Sequence, residues 1–283
     1  MTILDFGSGS DIGNQSDHNE DSYFADPELG LWLIADGMGG HEAGEVASAI
    51  VSETVSNAVR NGVSLVEAIE KAHREVVDAG ERGDGAKGMG STIVALQVKG
   101  DNFEVAWVGD SRAYLWDGEL RQISRDHSYV QKLLDSGAIS QEEALNHPNR
   151  NIITQSLGAD LDNVVVDNIT GRFQRGQHIL LCSDGLSDEV PDSQITAILR
   201  MGGDLQAQTK NLINAALSHG GKDNITTLLI SAPDDAPDQH QEFASATQEM
   251  NPADFKETQT PYKLIGIGVV VVCLIIVLTI LLR

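Results

Sequence analysis

The chain has 283 residues and carries 42 acidic against 19 basic side chains, a formal net charge of −23 at pH 7. This excess of negative charge argues against a nucleic-acid partner, whose phosphates would be repelled. It is compatible with a well-solvated surface or with carboxylates gathered where divalent cations bind. The two cysteines, Cys182 and Cys273, both lie in apolar runs, so we expect no disulfide and reducing surroundings.

Composition divides the chain into three segments. Residues 1–231 are expected to form one body, which is long for a single domain but acceptable for a sheet-rich one. Residues 232–262 are acidic, polar and proline-containing, without a helical or strand period, and predict a disordered linker. Residues 263–283 contain an uncharged run, 264–282, of the length that spans a bilayer, and this run predicts a transmembrane anchor.

The segment MTILDFGSGSDIG at the start of the sequence has no basic stretch followed by an apolar core. We therefore predict no signal peptide. With a single apolar span near the other end, the expectation is a single-pass protein of the cell (inner) membrane whose body faces the cytoplasm.

Helices and strands are predicted in a mixed order. The first element is the apolar run LWLIA, residues 31–35, which is typical of a buried strand. Apolar positions at helical spacing predict helices over 43–59 and 64–79, the second with a capping box of Ser64 and Glu67 and a stop at Gly80.

Strands dominate the next part of the body. The sequence predicts three strands within 91–124, another in the apolar run HILLCSDGL at 178–186, which ends in an acid and a glycine, and a last one over 224–231. Helices are expected before the last strand, with Asp192 and Asp204 as their N-caps. This order favours an α+β fold with sheet and helices in layers.

Acidic residues recur where the predicted strands meet loops. The residues that share this position are Asp21 in HNED, Asp36 and Gly37 in ADGMGG, Asp110 in VGDS, Asp184 in SDG and Asp223 in KDN. If the strands share a sheet, these carboxylates could converge, and converging carboxylates must protonate or bind cations. Oxygen ligands without a zinc-type cluster of Cys and His favour Mg²⁺ or Mn²⁺.

By itself, the Asp36-Gly37 segment fits two interpretations. In one, the glycines take positive φ in a tight turn and Asp36 caps the next helix. In the other, Gly37 lets the backbone approach a cation that Asp36 binds. Because two ions about 3.5–4 Å apart can activate a water and clamp a phosphoryl oxygen, the five acidic junctions favour a two-metal hydrolase.

Eight segments resemble, in order, the successive motifs of the PPM family, the type 2C metal-dependent serine/threonine protein phosphatases, in its bacterial branch. The resemblance covers nearly all of residues 6–231. It implies a four-layer α–β–β–α sandwich with two central, mainly antiparallel sheets and a metal site at one edge, to which the terminal span adds one transmembrane helix. The segments are NED, ADGMGGHEAGEVAS, GSTIVAL, VGDSRAYL, SRDHSYVQ, HPNRNIITQSLG, LLCSDGLSD and KDNITTLLI.

Carried over position by position, the resemblance implies two Mn²⁺ or Mg²⁺ ions. Asp36 would bridge them, and Gly37 would give one of them its carbonyl. Asp184 and Asp223 would complete the other, and Asp21, beside Glu20, would act through bound water. The nucleophile would be water, which agrees with the absence of a Cys- or Ser-based signature in the sequence.

The resemblance also assigns residues outside this pair of ions. Asp110 matches the acid that helps to hold a weaker third metal in bacterial members. Residues 126–157, here called the flap segment, correspond to the mobile flap beside the site, where substrate preference often lies.

Ser16 departs from the family pattern. The family usually has an arginine there, three residues before the Asn of NED, where it binds substrate phosphate. A serine can donate a hydrogen bond to phosphate but lacks the charge and the bidentate fork. Either phosphate binding is weakened, or His18 or a flap arginine such as Arg150 takes over the role.

The roles of other polar residues stay open at this stage. His41 could donate a proton to the leaving alcohol, or it could bond the loop backbone. His73 is expected on a helix surface, His127 suggests loop ordering only, and Arg112 a salt bridge near Asp110.

The sequence thus predicts a membrane-tethered enzyme that hydrolyses phosphoserine and phosphothreonine in proteins. The resemblance adds a serine/threonine kinase as an implied partner. A catalytically weak phosphoprotein-binding module at the membrane is the alternative, and Ser16 is its main support. A calcium-binding structural protein is a third interpretation, but the contiguous acidic loop typical of such sites is missing from the sequence.

Overall fold

The computed structural model of the protein describes residues 4–39, 43–83, 85, 88–159 and 164–238. The strands are β1 (Phe6–Asp11), β2 (Asp21–Asp26), β3 (Leu31–Met38), β4 (Gly90–Ser91), β5 (Ile93–Lys99), β6 (Asn102–Val108), β7 (Arg112–Trp116), β8 (Leu120–Gln122), β9 (Asp167–Arg172), β10 (His178–Cys182) and β11 (Ile225–Ser231). The helices are α1 (Ala43–Arg60), α2 (Leu65–Arg82), α3 (Tyr129–Asp135), α4 (Gln141–Leu145), α5 (Asp184–Ser187), α6 (Asp192–Arg200) and α7 (Leu205–His219).

The strands form two antiparallel sheets. The first sheet has the order β1-β11-β10-β7-β8. The second has the order β2-β3-β5-β6-β9, with β4 paired beside β3. The two antiparallel sheets that the resemblance implied are therefore confirmed.

Three apolar clusters separate four layers of structure. Alternate residues of β3 belong to two of these clusters. Leu31 and Leu33 face α1 and α2, whereas Trp32 and Ile34 face the first sheet. This alternation follows from the period of two in a strand, and it explains why the run LWLIA is apolar throughout. The third cluster packs α6 and α7 against the outer face of the first sheet. The order of layers is helices, second sheet, first sheet, helices.

The two long helices of the first layer form over the predicted residues, with one difference at an end. Ser64 caps α2, and its side-chain oxygen accepts a hydrogen bond from the Glu67 amide at 3.4 Å. The helix does not stop at Gly80 but continues to Arg82, and Gly83, with φ of 85°, is its C-cap. A glycine inside a helix costs roughly 1 kcal/mol, which the packing of α2 on the core offsets.

The sequence left several strands unpredicted, β1 and β9 among them, and misplaced one cap. The GSGSD segment forms the edge strand β1, although its glycines favour a loop. The exposed strand β9 was missed because it has no apolar alternation. Asp204 caps α7 as predicted, but Asp192 is the first residue of α6, and Pro191 precedes it as the N-cap.

The ordered body continues past the boundary drawn at residue 231. Ala232 and Ala236 are buried in the cluster between the sheets. The Arg175 amide donates a hydrogen bond to the Pro237 carbonyl at 2.9 Å. The first residues of the predicted linker thus contact the body.

The remaining part of the linker and the predicted anchor at 264–282 lie outside the described residues. Within the described part of the chain, no helix is long and apolar enough to cross a membrane.

Candidate active site

The five acidic junctions lie at one end of the two sheets. Asp21 and Asp36 face each other in the register of β2 and β3, so their Cβ atoms are direct cross-strand neighbours. Asp184 begins the short helix α5 after β10, and Asp223 precedes β11, the neighbour of β10 in the first sheet. Asp110 lies in the turn by which the chain passes from β6 in one sheet to β7 in the other. The predicted convergence of these loops is therefore observed.

Hydroxyl groups of the first sheet hold Asp21 of the second. The Asp21 Oδ2 atom accepts hydrogen bonds from Ser183 Oγ at 2.8 Å and from Thr226 Oγ1 at 2.6 Å. Ser183 directly precedes Asp184, Thr226 lies three residues after Asp223, and Ser183 also accepts a hydrogen bond from the Thr226 amide at 3.0 Å. These contacts fix the distance between the sheets where the acids meet.

Asn224 fastens the loop that carries Glu20 and Asp21. Its side-chain oxygen accepts a hydrogen bond from the Glu20 amide at 2.7 Å. Its amide group donates to the carbonyls of Ile12 and His18, at 2.9 and 3.0 Å. Sequence reasoning missed this residue, although its place in the KDN motif beside Asp223 was a signal.

Thr92, the residue directly before β5, holds the backbone of Asp36 by two hydrogen bonds. Thr92 donates its amide to the Asp36 carbonyl at 2.8 Å, and its Oγ1 atom accepts from the Asp36 amide at 3.2 Å. Thr92 Oγ1 lies 2.7 Å from Ser111 Oγ, in the turn that contains Asp110. One buried hydroxyl pair thus connects two of the predicted ligands.

Glycines follow Asp36 and Asp184 because neighbouring backbone approaches very closely there. A Cβ atom on Gly37 would lie 2.0 Å from the Gly44 carbonyl oxygen of α1. A Cβ atom on Gly185 would lie 2.0 Å from the Asn224 carbonyl oxygen. Neither Gly37 nor Gly185 has positive φ, whereas Gly39 has a φ of 146°. The tight-turn interpretation is therefore wrong for Gly37, and close approach of the backbone explains the residue type at 37 and 185.

Burial and mutual repulsion disfavour charge on the clustered acids. Loss of hydration raises the pKa of Asp36 and of Asp184 well above the ordinary value, and each is raised further by neighbouring carboxylates. Burial also raises the pKa of Asp21 to about 6, against the hydrogen bonds from Thr226 and Ser183. Burial and the nearby Asp126 raise the pKa of Asp110 to about 7. A bound cation would remove this cost.

The donor set fits a hard divalent cation. One carboxylate oxygen each of Asp21, Asp110 and Asp184 is buried without a hydrogen-bond partner, and such orphaned acceptors require an explanation. Within the described residues, no three His, Cys, Asp or Glu side chains are arranged to hold an ion by themselves. Mg²⁺ typically binds through one or two carboxylates and keeps several waters, which agrees with this open arrangement.

A charged network adjoins Asp110. Arg112 donates from Nε and Nη2 to both carboxylate oxygens of Asp126, at 2.7 to 3.1 Å, and from Nη1 to Tyr114. The predicted salt bridge of Arg112 is thus present; it is bidentate and partly buried, with the Arg112 side chain 26% exposed. Such pairs have a fixed geometry and place the guanidinium firmly.

Arg150 of the flap segment reaches the same place. It lines a small cavity of about 20 Å³ together with Asp110 and Asp184, with room for about one water. Its Nη2 atom lies 3.6 Å from Asp188 Oδ2. Burial raises the pKa of Asp188, while Arg150 lowers it. Arg150 is therefore a cation beside the acidic cluster.

The remaining polar residues singled out in the sequence differ in their exposure and position. Ser16 is half-buried in the loop between β1 and β2, and His18 is exposed in the same loop. His41 lies outside the described residues, so its role as an acid stays a prediction. His73 is buried, and its Nδ1 atom accepts a hydrogen bond from the Gly158 amide at 3.1 Å. The expectation that His73 lies on the surface was wrong.

Two sheets between helical layers, with an acidic cluster at one end, define a class of metal-dependent phosphatase, and comparison with known proteins agrees. The family model described as "Protein phosphatase 2C" matches residues 9–229. The chain therefore belongs to the protein phosphatase 2C family and is a metal-dependent protein phosphatase.

Individual relatives are similar over nearly their whole length. The serine/threonine phosphatase stp of Listeria innocua is 37% identical over 235 residues, which are 78% of this chain and 93% of that protein. The crystal structure of the Mycobacterium tuberculosis serine/threonine phosphatase PstP/Ppp aligns with a TM-score of 0.75 at 36% identity, covering 82% of this chain and 99% of that one. A structure of the PstP catalytic domain in complex with two manganese ions gives a TM-score of 0.75 at 34% identity, with coverages of 83% and 100%.

Repulsion among the clustered carboxylates lowers the free energy of unfolding of the metal-free protein, and this leads to a prediction. We expect Asp36→Asn to raise the thermal midpoint in chelator by about 2–4 °C for each kcal/mol of repulsion relieved. The sign follows because a carboxyl whose pKa is raised in the folded state destabilises that state once pH exceeds its unfolded pKa. The variant should also lose most of the stabilisation that Mn²⁺ gives the native chain.

Circular dichroism of the full chain in detergent, melted at pH 7.5 with chelator and with MnCl2, measures both effects. Asp78→Asn is the matched control because Asp78 is exposed on α2. A lower midpoint in chelator and an unchanged response to Mn²⁺ for Asp36→Asn would contradict the prediction.

Proposed function

We propose that the protein hydrolyses phosphoserine and phosphothreonine in other proteins at a two-cation centre of Mn²⁺ or Mg²⁺, while anchored to the membrane. The observation that carries the catalytic part is the gathering of Asp21, Asp36 and Asp184, each half-buried, at the junction of the two sheets, with one buried and unpaired carboxylate oxygen on each of Asp21 and Asp184. Such a cluster is stable when cations compensate it.

Each residue of the cluster has its own proposed task. Asp36 and the backbone carbonyl of Gly37 would hold one cation, and Asp36 would be shared with a second cation held by Asp184 and Asp223. Asp21 would act through water. When bound, the cations would supply an activated water and neutralise the charge that develops during in-line displacement. Asp110 would contribute to a third, weaker cation, and His41 would give the leaving alcohol its proton.

Arg150 is the proposed partner of the substrate phosphate. Ser16 cannot supply the charge that the family arginine would give at that position. Arg150 lies beside Asp110 and Asp184; its Nη2 atom makes a long contact with Asp188 at 3.6 Å, and its Nε atom donates a hydrogen bond to the neighbouring Asn151 at 3.2 Å. A rotation of its exposed side chain would present the guanidinium fork to a phosphate. His18, the other candidate, is exposed, and its backbone carbonyl accepts from Asn224.

Membrane tethering is proposed from the sequence. The run 264–282 has the length and composition of a transmembrane helix, and Lys263 and Arg283 flank it. A cytoplasmic body at the inner membrane would meet phosphoproteins produced by a serine/threonine kinase, the partner class that the family resemblance implies.

Metal-dependent turnover is the first test of the enzyme. We expect the full chain in detergent to release phosphate from a phosphothreonine peptide with Mn²⁺ or Mg²⁺ and not with chelator. Asp36→Asn and Asp184→Asn should each lower kcat/KM by at least about 10³-fold, because each leaves a cation without a main ligand. Asp78→Asn should match the native chain. Folded, metal-binding protein without turnover would instead indicate a phosphoprotein-binding module.

Substitutions at the phosphate site form the second test. We expect Arg150→Gln to raise KM for the phosphopeptide roughly 10- to 100-fold, since a hydrogen bond to a charged group contributes about 1.5–3 kcal/mol. Arg121→Gln is the control, because Arg121 is exposed and pairs with Asp117 away from the acidic cluster. Ser16→Arg should lower KM. An unchanged KM in Ser16→Arg would show that the serine does not weaken phosphate binding.

Fractionation of cells tests the anchor. The full chain should sediment with membranes and resist alkaline carbonate, whereas a chain ending at residue 238 should stay in the supernatant. The same distribution for both chains would refute tethering through 264–282.

A further inference from the structure

His127 joins the flap segment to the acidic turn at two points of the backbone. Its amide donates a hydrogen bond to the Gly109 carbonyl at 2.8 Å. Its ring Nδ1 atom accepts one from the Gly109 amide at 3.1 Å. Both backbone groups of the residue before Asp110 are therefore bonded to this one residue.

The remaining contacts of the ring determine its tautomer. Nε2 lies 3.1 Å from Asp167 Oδ2 on β9, and the Gln155 side-chain amide lies 3.0 Å from Nδ1. Since Nδ1 receives N–H donors, the ring hydrogen belongs on Nε2, where it is donated to Asp167. The imidazole thus spans from β9 to the turn, with only 15% of its side chain exposed.

His127 also closes the base of the flap segment. Its carbonyl accepts a hydrogen bond from the Thr154 amide at 2.7 Å, and Ser128 pairs with Ile153 as an isolated bridge. The two ends of the segment are therefore bonded to each other at the residue that holds Gly109. Any displacement of this base acts directly on the turn.

The turn has little freedom to follow such a displacement. Gly109 has φ of 110°, and a Cβ atom there would lie 2.6 Å from the Thr92 side chain. Thr92 in turn bonds Ser111 Oγ and the Asp36 amide. Asp110 thus lies between Gly109, which His127 holds, and Ser111. The Ser111 hydroxyl bonds Thr92, the same residue that holds the Asp36 backbone.

We propose that His127 is a positioning residue that fastens the base of the flap segment to the Gly109–Ser111 turn and so sets Asp110 for cation binding. The inference rests on the proposed function in one respect, the role of Asp110 as a ligand of the weaker cation. It assigns to His127 no contact with the substrate or the reacting atoms.

Two substitutions separate the contacts of the ring. His127→Asn keeps an oxygen near the position of Nδ1, so it can still accept from the Gly109 amide, but it is too short for Asp167. His127→Gln can donate to Asp167 but places no acceptor at Gly109. Rescue by Asn and not by Gln is therefore specific to the Gly109 contact.

Calorimetric titration of the full chain with Mn²⁺ in detergent gives a readout apart from activity. We expect His127→Gln to weaken the weakest Mn²⁺ site about tenfold, because it leaves the Gly109 amide without its acceptor. The tighter sites should stay within about twofold, and His127→Asn should resemble the native chain. Asp110→Asn should abolish the weak site.

His73→Gln is the matched control. It removes an equivalent bond from a histidine Nδ1 atom to a glycine amide, that of Gly158, one residue after the flap segment and away from the Gly109 turn. We expect it to leave the weak site unchanged, in protein checked by circular dichroism for folding. An equal loss in His73→Gln would overturn the proposal in favour of general flap order.

Three other outcomes would also overturn it: native binding in His127→Gln, equal weakening in His127→Asn, or a weak site that survives Asp110→Asn. Phosphopeptide hydrolysis at saturating Mn²⁺ keeps the two proposals apart. Turnover with no effect of His127 on Mn²⁺ binding refutes this inference alone. Absence of turnover with the expected binding changes refutes the proposed function alone.

Discussion

Electrostatic repulsion among buried carboxylates is the constraint on which this structure depends. Asp21, Asp36 and Asp184 lie at the meeting of two sheets, where burial and mutual charge raise the pKa of each. A fold does not gain stability from such an arrangement, because unpaired charges of one sign in a poorly hydrated place cost free energy. The arrangement makes physical sense as a preformed cation site, in which the protein bears the cost that the ions later offset.

The surrounding architecture keeps the acids together in spite of this repulsion. Hydroxyls of Ser183 and Thr226 hold one oxygen of Asp21 across the sheets, and Asn224 pins the loop that precedes it. Glycines at 37 and 185 let the backbones approach more closely than any other residue would allow. Neutral donors perform these tasks, so the negative charge of the acids is retained for cations rather than cancelled by arginine or lysine.

The sequence predicted the clustered acids and many of the helices and strands. It failed where contacts between residues far apart in the chain determine the structure. Asp36 and Asp184 were recognised because an apolar strand before an acid and a glycine is a local pattern. The strand β1 was missed because its glycines disfavour strands locally, whereas its pairing with β11 is decided by tertiary contacts. His73 was placed on the surface for a similar reason: its burial depends on Gly158, 85 residues away. Asn224 was overlooked because its partners come from residues 12–20.

Arg112 and Arg150 show how the positive charge near the site is divided between the sheet and the flap segment. The Arg112–Asp126 pair is bidentate and partly buried, so Arg112 already has a strong partner and cannot easily turn to a substrate. Arg150 has a long contact with Asp188 and one hydrogen bond from Nε to the neighbouring Asn151 at 3.2 Å, and its side chain is 40% exposed. A cation with a weak partner can exchange it for a phosphate at little cost, whereas breaking a partly buried bidentate pair would leave Asp126 uncompensated. Under the proposed function, the position of Arg150 on the flap segment, whose base His127 joins to the acidic turn, places the phosphate-binding charge and a cation ligand in one connected part of the fold.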